Sequence, residues 1–148
     1  MLPKFDLFIE QTKDIWKDML DIRKRFRAAR RGARQEVRPG PYTMFIGPAL
    51  PAGRDHPVLD VHPEEMQWKR TRYITSADFF HGTLELVEPG VPVFLFMGED
   101  ENRKLDERAR AFLTRGVTGD TDINIIDTAE FAIPGLDDEF RVIVSRGF

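Results

Sequence analysis

The chain has 148 residues, of which 41% are apolar and 32% charged, a composition that fits one globular domain rather than a disordered segment. It contains no cysteine, which excludes disulfides, thiolate zinc sites, iron–sulfur clusters and a cysteine nucleophile. The longest apolar stretch, Val91–Met97, is far shorter than the roughly 20 residues that cross a bilayer. Because the N-terminus has no signal-peptide pattern either, we expect a cytoplasmic protein without a membrane anchor.

The net charge of −3 conceals two halves of opposite sign. Residues 1–72 hold 15 Lys and Arg against 10 Asp and Glu, whereas residues 73–148 hold 7 against 15. The first half therefore carries +5 and the second −8, which together give −3. A chain divided in this way can present a basic face although it is not basic overall.

Apolar residues at three- and four-residue steps predict one long N-terminal helix over residues 3–31, opened by Pro3 and ended by Gly32. The last part of this helix is basic, with seven Lys or Arg in the twelve residues from Arg23 to Arg34. Such a run is typical of a solvated helix end, where cations interact favourably with the helix dipole. The alternative is a phosphate or nucleic-acid contact; we expect no specific nucleic-acid site.

Strands and helices alternate through residues 42–148, after a linker at residues 38–41. The first predicted elements are a strand at Tyr42–Gly47, a helix from Pro63 to about Arg72, and a partly helical stretch at Ser76–Val87 interrupted at His81-Gly82. They are followed by a strand at Pro92–Met97, a helix capped by Asn102 or Asp100 and stopped by Gly116, a strand at Asp122–Ile126, a turn at Ile133-Pro134-Gly135 and a short last strand at Phe140–Val144. This alternation indicates a small parallel α/β sheet with helices on both faces. We expect a single domain, in which residues 1–37 form the N-terminal helix and residues 42–148 the core.

Candidate chemistry depends on the three histidines, because no Walker, G-x-S-x-G or G-x-G-x-x-G motif is present. His56, Asp60 and His62 have a spacing that metal ligands can use, but the surrounding prolines favour an exposed loop. Glu65 and His81 are the stronger pair, since a carboxylate and an imidazole can move protons next to a carbonyl group. The alternative is a helix-start glutamate and a structural histidine.

Two segments, Glu64–Trp68 (E-E-M-Q-W) and Ala77–Val87 (A-D-F-F-H-G-T-L-E-L-V), carry a resemblance to a known family. Further matching stretches are Phe45–Gly47, Val91–Leu95, Gly98–Glu101, Leu105–Ala109, Phe112-Leu113 and Ile125–Asp127. In order and spacing they resemble the second half of double sugar-isomerase (SIS) domain proteins. The resemblance is greatest to the fructosamine 6-phosphate deglycases and more distant to the isomerase domain of glucosamine-6-phosphate synthase. It implies a three-layer, flavodoxin-like SIS fold.

The resemblance also implies a function, which is deglycation or aldose–ketose isomerisation of a ketosamine 6-phosphate without a metal or organic cofactor. Glu65 would be the base that moves a proton between C1 and C2, and His81 would open the ring or donate a proton to a sugar oxygen. The implied substrate contacts are Gly47, Gln67, Gly82 and Glu85. In several members of the family the histidine reaches into a neighbouring subunit's site, which implies a homo-oligomer or a complementary SIS subunit as partner.

The chain departs from the family in several places. The first subdomain, whose Ser/Thr-rich loops bind the sugar phosphate, has no counterpart here. A proline-rich stretch follows Gly47 where the family has a glycine-rich turn, Thr83 replaces a proline, and the sequence ends at Phe148 before the family's C-terminal helices. Three origins fit these departures: one subunit of a split enzyme, a non-catalytic module for carbohydrate-derivative binding or assembly, and a fragment of a longer chain.

Overall fold

A computed structural model describes residues 3–32, 40–48, 64–65, 68–115 and 121–145 of the protein. The described residues group into two compact units. The helical unit contains those of residues 1–36 and 130–148, and the sheet unit contains those of residues 37–129. No helix in these described ranges is long and apolar enough to cross a membrane.

The sheet unit is built on a parallel sheet whose strand order is β2-β1-β3-β4. The strands are β1 (Thr43–Gly47), β2 (Thr71–Thr75), β3 (Val93–Met97) and β4 (Ile123–Asp127). In the register, Thr43 lies beside Thr71, and Val93 lies between Met44 and Ile123. The α/β class and the parallel sheet expected from the sequence are confirmed.

The core of the sheet unit lies against the two central strands. Their fully buried side chains are Met44, Ile46, Val93, Leu95 and Met97. Helix α3 (Arg103–Thr114) buries Ala109 and Leu113, four residues apart on one face, in the same cluster.

The connection from β2 to β3 consists of two short 3-10 turns, Asp78–Phe80 and Thr83–Leu86, separated at His81-Gly82 as the sequence predicted. The rings of Phe79 and Phe80 lie edge-on to Phe112 of α3, with centroids 5.7 and 6.1 Å away. This connection and α3 therefore cover the same face of the sheet.

The helical unit combines residues that are far apart in the sequence. Its helices are α1 (Pro3–Thr12), α2 (Ile15–Gly32) and α4 (Asp138–Ser145). Ile22, Ile133, Leu136 and Phe140 form its buried cluster, and the ring of Phe8 meets Phe140 edge-on at 5.2 Å.

The predicted single helix over residues 3–31 is corrected in its middle, where a turn at Lys13-Asp14 separates α1 from α2. The hydroxyl of Thr12 donates a hydrogen bond to the carbonyl of Phe8 at 2.7 Å. Such a local side-chain bond competes with the regular backbone ladder and bends helices.

Two other predicted elements are corrected. The helix predicted from Pro63 to Arg72 is helical at Glu64-Glu65 but does not extend to Arg72, because β2 begins at Thr71, where the β-branched and aromatic residues of T-R-Y-I-T favour pairing with β1. The strand predicted at Phe140–Val144 lies within α4, whose Asp138 and Glu139 occupy the positive end of the helix. A short apolar run by itself does not distinguish a strand from a helix.

Candidate functional site

Glu65 lies in a helical stretch, described at Glu64-Glu65, that is fixed to the amino end of β2. The carboxylate of Glu64 accepts hydrogen bonds from the backbone N–H and the hydroxyl of Thr71, at 3.1 and 3.3 Å. The backbone carbonyl of Glu64 accepts a further hydrogen bond from the N–H of Trp68 at 3.1 Å. These contacts leave the neighbouring Glu65 exposed to solvent.

His81 follows the carboxyl end of β2, in a turn that Thr75 and Asp78 hold in place. The Thr75 hydroxyl donates to the Asp78 carboxylate at 2.8 Å, and the Asp78 N–H donates back to that hydroxyl at 3.1 Å. The N–H of His81 donates to the Asp78 carbonyl at 2.9 Å. The imidazole is 79% exposed, with its Nδ1 atom 3.9 Å from the Asp78 carboxylate, so its ring is open to an incoming group.

The structure does not bring Glu65 and His81 of one copy together. Glu65 precedes the amino end of β2, and His81 follows its carboxyl end. This strand has five residues and spans about 13 Å. One copy therefore offers the carboxylate and the imidazole on separate surfaces.

The other predicted contacts are divided between these surfaces and the core. Gly82 adopts a φ of +108° and has open space where a side chain would lie, and Glu85 is exposed in the turn that follows. Gly47 is buried at the carboxyl end of β1, where its carbonyl accepts the N–H of Ser76 at 2.7 Å. Outside the described residues lie Gln67, His56, Asp60 and His62.

Asp106 is a buried carboxyl group that the sequence analysis missed. Its Oδ2 atom accepts the backbone N–H of Gly98 at 2.9 Å, and its buried Oδ1 atom has no hydrogen-bond partner among the described residues. Burial raises the pKa of Asp106, although the nearby Ser76 hydroxyl and the N–H of Gly98 act in the opposite direction. The sequence carried a signal, because Asp106 lies three residues before the core residue Ala109 on the buried face of α3.

The crevice beyond β1 and β3 is partly filled by Pro48. The strand order reverses between these strands, and ligands of open α/β sheets bind beyond the carboxyl ends at such a point. A Cβ atom on Gly98 would lie only 3.2 Å from the Pro48 ring. The Tyr73 hydroxyl donates to the Pro48 carbonyl at 2.8 Å, which fixes the proline there.

Arg103 joins the ends of β3 and β4. Its guanidinium forms two hydrogen bonds with the carboxylate of Asp127, at 3.0 and 2.7 Å, and a third with the carbonyl of Gly98 at 2.8 Å. The hydrogen bonds from Arg103 hold the pKa of Asp127 below its ordinary value of 3.8. This group occupies the same edge of the sheet as Pro48 and Asp106.

Comparison with known proteins gives relatives for part of the chain. No protein-family model matches it. The chain is 36% identical over 91 residues, 62% of its length, to fructoselysine 6-phosphate deglycase of Escherichia coli strain K12, and equally similar to the Shigella flexneri protein. It is 31% identical over 77 residues, 52% of its length, to fructosamine deglycase FrlB of Bacillus subtilis strain 168. These matches span 25% of the first two proteins and 23% of the third.

Solved structures share the fold over nearly the whole chain. A structure named as a phosphosugar isomerase from Salmonella typhimurium matches with a TM-score of 0.76 and 20% identity, over 98% of this chain and 44% of that one. A Bacillus subtilis structure of the same designation gives 0.66 and 20%, over 94% and 40%. The α/β fold of the phosphosugar isomerases and the partial sequence resemblance to the deglycases, both expected from the sequence, are confirmed.

Proposed function

We propose that the chain supplies the acid–base groups of a phosphosugar deglycase or aldose–ketose isomerase that acts on ketosamine 6-phosphates. The observation that carries this proposal is the 36% identity, over 91 residues, to fructoselysine 6-phosphate deglycases. Glu65 is the base and His81 is the acid. The exposure of both side chains leaves them accessible to a substrate.

The chemistry is a proton transfer between neighbouring carbons. The Glu65 carboxylate takes the proton from C1 of the open-chain ketosamine and returns it to C2. The C2 oxygen gains a proton and the amine nitrogen loses one, so that the C2–O double bond is replaced by a C1–N double bond. Water then adds to the resulting imine and releases the amine. His81 donates a proton to the sugar oxygen when the ring opens, and Gly82 lets the substrate approach the backbone beside it.

A competent site combines Glu65 of one copy with His81 of another. The placement of the two side chains at opposite ends of β2 supports this arrangement, since neither can reach the other within one copy. In a two-fold dimer the combination occurs twice. Glu65, the base, and His81, the acid, then meet only when the dimer forms.

Mixing two inactive variants tests this arrangement. Glu65→Gln and His81→Asn should each abolish exchange of the C1 proton of a ketosamine 6-phosphate with solvent deuterium, measured by NMR. Random mixing makes about half of the dimers mixed, each with one intact site of two, so about a quarter of the parent rate should return. NMR at high substrate concentration is the suitable readout, because we expect slow turnover without a dedicated phosphate loop.

Glu101→Gln provides the matched control, since Glu101 is an exposed carboxylate outside the segments that carry Glu65 and His81. It should exchange the C1 proton at the parent rate. Undiminished exchange by Glu65→Gln would show that Glu65 is not the base. Failure of the mixture to recover any exchange, with both variants folded, would show that the two groups do not meet between copies.

A non-catalytic module is the second candidate, and the contact between Pro48 and Gly98 favours it. A proline ring at the point where ligands of this fold class bind reduces the space for a substrate. Such a module binds a carbohydrate derivative or assembles with another subunit without turnover. Calorimetric binding of a ketosamine 6-phosphate with no C1 exchange in any mixture would identify this function.

A further inference from the structure

The two N-terminal helices carry a second apolar surface besides the one that faces the core of the helical unit. Four large side chains on this surface are between 47% and 57% exposed, and we call them the exposed stripe: Phe5, Ile9, Trp16 and Leu20. Large contiguous apolar surfaces are rare on soluble monomers and mark interaction sites. The stripe is therefore a candidate docking surface.

The exposed stripe runs along one side of both helices. Its two members on each helix are four residues apart, so each pair shares one face of its helix. Phe8 and Ile15, whose side chains pack against the buried cluster of the helical unit, directly precede Ile9 and Trp16. One residue corresponds to about 100° of rotation around a helix, so the stripe lies on the same side of the buried face in α1 and in α2.

Charged side chains border the exposed stripe on the side away from the core. Asp6 and Glu10 each follow a stripe member of α1, and Lys17 follows Trp16 on α2, with its Nζ atom 5.4 Å from the indole ring. Lys13 lies in the turn between the helices. Lys13 and Lys17 form exposed ion pairs with carboxylates close in the sequence, and such pairs can be exchanged at little cost.

We propose that the exposed stripe docks antiparallel onto the exposed stripe of a second copy of this chain. α1 of each copy then lies along α2 of the other, which places Phe5 opposite Leu20 and Ile9 opposite Trp16. The contact contains residues of the helical unit alone, and neither Glu65 nor His81 takes part in it. It is therefore independent of the proposed function.

Charge favours a second copy in this direction. In the antiparallel pair the carboxylates beside α1 face the ammonium groups beside α2, Asp6 opposite Lys17 and Glu10 opposite Lys13, and the two-fold axis repeats both contacts. A parallel pair would instead place two copies of α2 side by side. Each α2 has seven Lys or Arg against two Asp, a charge of +5, so the two helices would repel each other.

Engineered cysteines test the pairing, because the chain has no cysteine of its own. Ile9→Cys and Trp16→Cys should not cross-link when each is oxidised alone. In the antiparallel pair each position lies seven residues, about 10 Å along the helix, from its own counterpart, which is beyond the reach of a disulfide. An equimolar mixture should give dimers with one chain of each variant, measured by non-reducing gel electrophoresis and mass spectrometry.

Leu20→Lys and Leu7→Lys form a matched pair. Both leucines are exposed, at 47% and 42%, but Leu7 lies two residues after Phe5 and so on a different side of α1. Leu20→Lys should weaken association about tenfold in sedimentation equilibrium, because the contact would bury two ammonium groups. Leu7→Lys should associate like the parent, and both variants should keep the parent's thermal midpoint at a concentration where all are monomeric.

Charge reversal tests the groups that border the stripe. A variant with Asp6→Lys and Glu10→Lys, and another with Lys13→Glu and Lys17→Glu, should each associate more weakly than the parent because like charges face each other. Their mixture should recover the parent's association, because every contact of the mixed pair again joins opposite charges.

Three results would overturn the proposal: association unchanged by Leu20→Lys, equal weakening by Leu7→Lys and Leu20→Lys, or no cross-link in the mixture of Ile9→Cys and Trp16→Cys. Cross-linking of Ile9→Cys alone would likewise overturn it, since that product requires a parallel contact. Proton exchange by the mixed Glu65→Gln and His81→Asn variants bears on the proposed function and leaves this contact untouched.

Discussion

At the scale of single residues, Asp106 shows how one carboxyl group can connect separate strand ends. Its Oδ2 atom accepts the N–H of Gly98 after β3, and the neighbouring Ser76 after β2 donates to the Gly47 carbonyl of β1 at 3.2 Å. The group is fully buried. Ionisation is therefore costly in the folded state, while the neutral acid keeps an acceptor for Gly98.

The raised pKa of Asp106 gives its contribution to stability a definite sign. The folded state binds the proton more tightly than the unfolded state, so the protonated carboxyl stabilises the fold fully below the ordinary value of 3.8. This contribution is lost as the pH rises through the raised pKa. In urea titrations at several pH values, the free energy of unfolding of the parent should fall relative to that of Asp106→Asn as the pH rises from 3.8 through the raised pKa.

Asp106→Ala is the complementary variant. It leaves the buried N–H of Gly98 without its acceptor and should cost about 1–3 kcal/mol at all pH values. A parent and an Asp106→Asn protein with identical pH dependence would contradict the assignment of the titration to Asp106.

Alanine substitutions at Gly40 and Gly82 test steric clash and backbone strain separately. A Cβ on Gly40 would lie 2.3 Å from the Gly90 carbonyl, whereas Gly82 has free space but a φ of +108°. Gly82→Ala should therefore cost about 1–2 kcal/mol from strain alone. Gly40→Ala should cost more, because two backbone segments must separate. Thermal denaturation of the two variants gives the comparison, and an equal or smaller effect at Gly40 would contradict it.

At the scale of elements, the ion pair of Arg103 and Asp127 ties the start of α3 to the end of β4. The Asp127 side chain is only 12% exposed, and its hydrogen bonds to Arg103 lower its pKa. A carboxyl group with a lowered pKa stabilises the fold above its ordinary pKa, and the contribution disappears as the pH falls through the lowered value. This sign is opposite to that of Asp106.

Asp127→Asn should reduce the free energy of unfolding at pH 7 by about 1–2 kcal/mol, between the values for exposed and buried ion pairs. The difference from the parent should diminish as the pH falls below 3.8. Glu107→Gln is the control, since Glu107 contacts Arg103 at 3.6 Å from an exposed position, and it should cost less than about 0.5 kcal/mol. Equal effects of the two variants would contradict a special role for Asp127.

The sequence predicted elements well where local signals suffice. β3 is a short, fully apolar run between turn residues, and the break at His81-Gly82 follows from a glycine that takes a positive φ. β2 was missed because T-R-Y-I-T follows a helix-like segment, and only pairing with β1 makes it a strand. The separation of Glu65 from His81 was missed with it, since it depends on that extended strand. Motifs thus identified the candidate groups, whereas long-range pairing determines their positions.

At the scale of the whole molecule, the opposite charges of the two halves of the chain should make association sensitive to salt. Three exposed cations lie at the start of β2, on the side of Glu65: Lys69, Arg70 and Arg72. The carboxylates of Asp78 and Glu85 are exposed around His81, so a site shared between two copies brings opposite charges together. Raising the ionic strength from 0.15 to 1 M shortens the screening length from about 8 to about 3 Å. The dissociation constant should therefore increase with salt in sedimentation experiments. For an interface formed by apolar side chains alone, the dissociation constant would decrease with salt or stay constant.

The helical unit joins residues 3–32 with residues 130–145, and this arrangement orders events during synthesis. α1 and α2 leave the ribosome early, but Phe8 meets its partner Phe140 only after about a hundred further residues have been added. At a translation rate of about 5–20 residues per second that interval lasts roughly 5–20 s. Residues 40–129 have their own core and can fold during it. The apolar faces of the first two helices meanwhile remain uncovered, which makes the nascent chain a substrate for chaperones until α4 emerges.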